Sequence, residues 1–323
     1  MKEIIVRSYR GDVVECDHLV SFAILDSSGK VILEAGNLSR NTYLRSLAKP
    51  FQCLPLYETG AIDAFKLTLP DIAIIVSSHN GEKIHVDQVR AVLMKGGLEE
   101  QILECGIHLP FNLAIAQKIM QENAGLLPIH NNCSGKHAGM LLLCKHLGLP
   151  IKNYHAINHP LQKFILEREA EIFKKEQFPI GIDGCGVPTV ALPLREIAEL
   201  YAKFAIADTS ESLGKIRKAI IENPMLIAGS GRFETIVMKQ LPIIAKSGAD
   251  GLMAIGIPKA GVGIIVKVHS GIASIADYVM LNLLVKLKIL SEEEIQNSPL
   301  NIFYKVLNCR NELVGHYEII NAI

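Results

Sequence analysis

The chain has 323 residues, balances 33 Lys+Arg against 33 Asp+Glu, and is 49% apolar. Balanced charge gives no net field to draw nucleic acid or an anionic membrane, and a mean hydropathy of +0.27 suits a compact globule. No apolar stretch reaches the roughly eighteen residues of a membrane helix, and the start, MKEIIVRSYRGD, lacks a signal-peptide core, so a cytoplasmic protein is predicted.

Residues 2–36 alternate as strands: EIIVRSY, HLVSFAILD and KVILEAG, with the turn DSSGK between the last two. RSLAKPFQ follows (Arg45–Gln52), one of three Ser-x-x-Lys patterns where chance gives roughly one. Ser27–Lys30 lies in the hairpin turn and Ser212–Lys215 on an amphipathic stretch, so neither lysine is desolvated. Ser46–Lys49 differs because of Pro50. Proline has no N–H and is tolerated only in the first turn of a helix, so a helix through Lys49 and Pro50 must begin near Ser46. Ser46 is then either a helix-capping serine or a nucleophile with Lys49 one turn on, facing the same side.

Residues 50–225 carry apolar side chains at three- and four-residue spacing and predict helices at VDQVRAVLMKGG, FNLAIAQKIMQEN, KHAGMLLLCKHLG, HPLQKFILEREAEIFKKE and LREIAELYAKFAI. Strands return from about 250 with GLMAIGIP and VGIIVKVHSG; a helix, ASIADYVMLNLLVKLKIL, and a closing strand, GHYEIINAI, complete the chain. Strands at both ends predict an α+β fold, or α/β sandwich, whose antiparallel sheet joins the two termini around a helical insertion. The expected organisation is a single domain over 1–323, with a sheet region at about 1–49 plus 226–323 and a helical region at about 50–225. No Gly-rich phosphate loop follows a strand, which disfavours nucleotide binding.

Four further segments are dense in polar side chains or glycine: SSHNGE (77–82), HNNCSGKHAG (130–139), GIDGCGVP (181–188) and GSGRFET (229–235). Such loops carry function more often than packing, although each side chain could be a cap or an ordinary buried thiol. The seven cysteines stand far apart and read as thiols or metal ligands, not as a disulfide framework. Lys267, inside the apolar run VGIIVKVHSG, is expected either at a sheet edge or buried with a partner.

In this order, and with ECDHLV upstream, RSLAKPFQ, SSHNGE, HNNCSGKHAGM, GIDGCGVP and SGRFET resemble the bacterial L-asparaginase II family of the Rhizobium type, whose fold is similar to serine β-lactamases and β-lactamase-like glutaminases. The resemblance implies a catalytic set of Ser46, Lys49, Ser78 and Lys267. It implies substrate contacts at Arg45, His137 and Asp183, and a zinc site at Cys133, Lys136 and Cys185. Asn80, Cys16 and Asp250 depart from the family pattern at positions bearing on substrate preference.

The implied reaction is hydrolysis of the side-chain amide of L-asparagine through an acyl-enzyme on Ser46. Lys49 acts as base, and zinc orients substrate without activating water. Two alternatives stay open: a glutaminase or other β-lactamase-like Ser-Lys amidohydrolase, and a zinc hydrolase or zinc-binding protein in which Ser46 only caps a helix. No nucleic-acid or membrane partner is expected, and a homodimer is the ordinary expectation for a soluble enzyme.

Overall fold

The computed structural model describes residues 4–122 and 125–320, and the chain folds as two compact units. The first comprises residues 1–42, 192–206 and 236–323; the second comprises 43–191 and 207–235. Eleven strands are formed among the described residues: β1 (Ile4–Arg10), β2 (Val13–Asp26), β3 (Val31–Ala35), β4 (Asn41–Tyr43), β5 (Ile180–Ile182), β6 (Pro188–Pro193), β7 (Ile244–Gly248), β8 (Leu252–Ile257), β9 (Val262–Val268), β10 (Lys305–Leu307) and β11 (Leu313–Ile319).

The sheet unit carries the order β10-β11-β1-β2-β9-β8-β7, with β3 also paired to β2, and its pairings are antiparallel. The two ends of the chain meet at β1 and β11, where Val6 faces Ile319. The fold is therefore α+β with a sheet built from both termini. Strand β8 is buried at every position, so side chains on both of its faces need cover. Helices Leu194–Ile206 and Ala273–Lys286 provide it. Gly256 and Gly263 pair across β8 and β9. A Cβ on Gly263 would lie 2.0 Å from Ala198 O, so only glycine admits the backbone of the first of these helices. Leu194–Ile206, which lies within the span expected to form the helical region, thus packs with the sheet unit.

The second unit is mainly helical and is organised around the short buried helix Leu69–Ile75. This helix packs against Lys83–Lys95, Ser134–Leu147 and Ser212–Glu222. Gly135 and Gly139, one turn apart on Ser134–Leu147, let that helix settle onto Ile74 and Ile75; a Cβ on Gly135 would lie 2.0 Å from Ile74 O. The glycines of HNNCSGKHAG therefore serve close helix packing. That packing brings the start of Ser134–Leu147 beside the Ser77–Asn80 segment that leaves Leu69–Ile75. A hairpin of β5 and β6 completes the unit, and Leu44 N–H donates to Val190 O as the chain enters it.

Both outlying Ser-x-x-Lys copies fall where the sequence placed them. Ser27–Lys30 is a turn tied by the Asp26 carboxylate to the N–H groups of Ser28 and Lys30. Lys215 is exposed, 5.9 Å from the Tyr57 ring centre.

Candidate active site

RSLAKPFQ folds as a 3-10 turn, Arg45–Ala48, running into a one-turn α-helix, Lys49–Gln52, with Pro50 in its first turn as its missing N–H requires. Arg45, just before the serine, has φ +50, a left-handed backbone that costs a non-glycine residue roughly 1–2 kcal/mol. Two bonds hold it there. Its N–H donates to Thr189 Oγ1 (3.2 Å), and its Nε donates to Asp183 Oδ1 (2.5 Å).

Lys49 is 1% exposed, and Ser46 and Ser78 are also buried. The lysine Nζ meets Ser77 O at 2.5 Å, Ser78 Oγ at 3.1 Å and Asn132 O at 3.4 Å. Two carbonyls and the Ser78 hydroxyl thus surround the Lys49 amine, each accepting from Nζ.

The Asn131–Cys133 turn joins this group to a second cluster. Cys133 Sγ, Cys185 Sγ and a carboxylate oxygen of Asp183 lie within 4.8 Å of one another. Lys136 Nζ donates to Cys185 Sγ at 3.2 Å. The hydrogen bond from the Cys133 thiol, with help from the Lys136 ammonium, pulls the Cys185 thiol down to about 5 despite burial. The same bond and burial push Cys133 up to about 12. Burial favours neutral Lys136, but Cys185, Cys133 and Asp183 outweigh it and hold the ammonium. Asp183 is likewise kept ionised, burial being outweighed by Lys136 and Arg45. Two sulfurs and a carboxylate are a donor set that zinc accepts. Lys136 could join them only after releasing the proton that now pairs it with Cys185.

His137, the next residue on the helix, is fully buried, and burial followed by the Lys136 charge lowers it to about 3, so it is neutral. Arg45, Ser46, Lys49, Ser78, Cys133, Lys136, His137, Asp183 and Cys185 all belong to the helical unit.

The sequence profile of the L-asparaginase II family matches residues 6–319. The chain belongs to the L-asparaginase II family. Membership makes it an amide hydrolase. No curated protein matches the chain. Among solved structures it is similar to a β-lactamase from Mycobacterium bovis, with 12% identity over 84% of this chain and 95% of that one and a TM-score of 0.46. It is also similar to a mutant simvastatin synthase (LovD) from Aspergillus terreus, with 11% identity over 77% and 86% and a TM-score of 0.37. Identities this low bear on fold alone, and nothing about this asparaginase II chain's chemistry rests on them.

Lys267 lies on β9 of the sheet unit, between β2 and β8 rather than at an edge. It is half-buried, and its ammonium donates to Asp250 O. Lys246, on the edge strand β7, is by contrast 1% exposed. Asn132, Thr189 and Tyr154, the hydrogen-bond partners of Lys49, Arg45 and His137, are not marked by the sequence. These contacts are made by a backbone carbonyl, a hydroxyl on the neighbouring hairpin and a hydroxyl from a distant loop, and none of these leaves a local pattern.

Proposed function

We propose that this asparaginase II chain hydrolyses the side-chain amide of L-asparagine to L-aspartate and ammonia through an ester on Ser46. The observation that carries the proposal is the partner set of Lys49: two carbonyls and the Ser78 hydroxyl around a buried amine. Lys49 takes the Ser46 proton as Oγ attacks the amide carbon, and the backbone N–H of Ser46 stabilises the oxyanion. Ser78 relays the proton toward the departing nitrogen, which leaves as ammonia. Water then cleaves the aspartyl ester, with Lys49 again taking and returning a proton. Arg45 and Asp183 supply the charges that the substrate's α-carboxylate and α-ammonium need, and His137 adds a neutral hydrogen bond.

Zinc bound to Cys133, Cys185 and Asp183, or to Cys133, Lys136 and Cys185 as the family resemblance implies, would supply a fixed positive charge beside that pocket. Elemental analysis of extensively dialysed wild type and Cys185→Ser tests this: about one zinc per chain in the first and none in the second. Seven free thiols suit a reducing cytoplasm, and a homodimer is the assembly we expect, to be checked by light scattering.

Ammonia release from L-asparagine, L-glutamine and a chromogenic β-lactam by the wild type and Ser46→Ala tests the reaction. L-Asparagine should be the best substrate, and the variant should fall by at least about 10³-fold with unchanged thermal unfolding. Wild-type turnover by Ser46→Ala would remove the nucleophile. Preferred turnover of L-glutamine or the β-lactam would replace the substrate.

A further inference from the structure

Tyr154 is completely buried, and its hydroxyl has two partners among the described residues. It accepts the backbone N–H of Glu104 at 2.9 Å and meets His137 Nδ1 at 2.6 Å. A phenol carries one hydrogen. With the Glu104 amide filling one lone pair, that hydrogen has one acceptor among the described residues, His137 Nδ1. The other arrangement, with Nδ1 donating, would leave both the tyrosine hydrogen and the Nε2 lone pair buried and unpaired, whereas this one leaves only the Nε2 hydrogen without a partner. Nδ1 therefore carries the lone pair, and the imidazole proton sits on Nε2. His137 Nε2 is buried and has no hydrogen-bond partner.

The tyrosine is held from several sides. The Glu104 carboxylate takes the Asn153 N–H (3.1 Å) and His155 Nδ1 (2.7 Å), the residues flanking Tyr154. The Tyr154 carbonyl accepts Gln162 Nε2 at 2.9 Å. His155 in turn stands against Gly186, next to Cys185; a Cβ on that glycine would lie 3.2 Å from the ring. Glu104 thus ties the loop that sets His137 to the loop that presents Cys185 and Asp183.

We propose that Tyr154 is a positioning residue of this hydrolase: it fixes His137 as the Nε2–H tautomer, so that His137 offers a bound ligand a hydrogen-bond donor and serves neither as a base nor as a metal ligand. The role toward substrate rests on the asparaginase reading above, whereas the tautomer stands on the protein's own contacts. A neutral donor adds to the Arg45 guanidinium in holding a carboxylate without adding charge beside Lys49.

The test is the ring-nitrogen spectrum of ¹⁵N-histidine-labelled full-length protein, with His137 assigned by substitution, together with steady-state kinetics on L-asparagine. Wild type should show His137 protonated on Nε2 alone. Tyr154→Phe should populate both tautomers and raise KM about five-fold with a smaller change in kcat, the size expected for one neutral hydrogen bond. If Tyr154→Phe does not fold, His137→Gln, whose amide nitrogen reaches as far as Nε2, should retain a lower KM than His137→Asn, which reaches only Nδ1. Protonation on Nδ1 in the wild type overturns the proposal, as does a Tyr154→Phe variant with an unchanged tautomer and KM. So does equal or better substrate affinity in His137→Asn. A protein that releases no ammonia from L-asparagine but shows the tautomer and its loss in Tyr154→Phe upholds the positioning role and overturns only the substrate assignment.

Discussion

Glu169 gives a sharp test of the interior beside Gln52 and Lys136. It lies on helix Pro160–Phe173, 1% exposed, with Oε1 accepting Gln52 Nε2 at 3.1 Å; its Oε2 and Gln52 Oε1 have no partner. Burial raises this acid from 4.5 to about 8, and the Gln52 hydrogen bond and the Lys136 charge recover only part of that. Because the folded protein holds this proton more tightly than the unfolded chain, the stabilising contribution is complete below pH 4.5. It is lost as pH rises through about 8. One proton is worth about 1.4 kcal/mol per pH unit, so the wild type should lose about 4 kcal/mol between pH 5 and pH 8 from this group. Glu169→Gln has nothing to titrate, and its amide can satisfy Gln52 Oε1. Urea unfolding of both proteins at pH 5, 6, 7 and 8 and constant ionic strength should show the variant gaining on the wild type by about that amount across the range. Parallel stability curves would refute the account of Glu169 as a buried neutral acid.

Two further outcomes follow from the packing. Gly135→Ala should cost more than about 3 kcal/mol in thermal unfolding, because its Cβ would lie 2.0 Å from the rigid carbonyl of Ile74. Gly148→Ala, at φ +64 with open space around it, should cost only about 1 kcal/mol.

The architecture was legible wherever burial is one-sided or periodic. Alternation marked β1, β2 and β3, and apolar spacing marked Lys83–Lys95, Ser134–Leu147 and Pro160–Phe173, because each of these elements turns a regular pattern toward its core. Strands β5 and β7 were missed for opposite reasons. Ile180–Ile182 is three residues long and largely exposed, and Ile244–Gly248 ends in the small polar Ser247 and Gly248, which read as a turn. Leu194–Ile206 was read correctly as a helix, but nothing in its own amphipathic pattern says which unit it covers. That depends on Gly256 and Gly263, some sixty residues further on.

The site divides along a similar line. Pro50 placed Ser46 at a helix start by a local steric rule, and the 3-10 turn beginning at Arg45 follows from it. The left-handed φ of Arg45 could not be read, since arginine has no preference for that conformation; Thr189 and Asp183, well over a hundred residues away, impose it. The cysteines illustrate the same limit. Sequence offered Cys133 and Cys185 as equivalent thiols, whereas the fold makes them unequal by setting Lys136 against one sulfur and leaving the other to donate to it. Charge state at this site is thus a property of which residue each thiol faces. Lysine exposure has the same form: an apolar strand puts a lysine either at an edge or buried with a partner, yet Lys267, on an interior strand, reaches a backbone carbonyl at the surface while Lys246, on an edge strand with a polar end, is enclosed. Edge position alone therefore does not decide exposure.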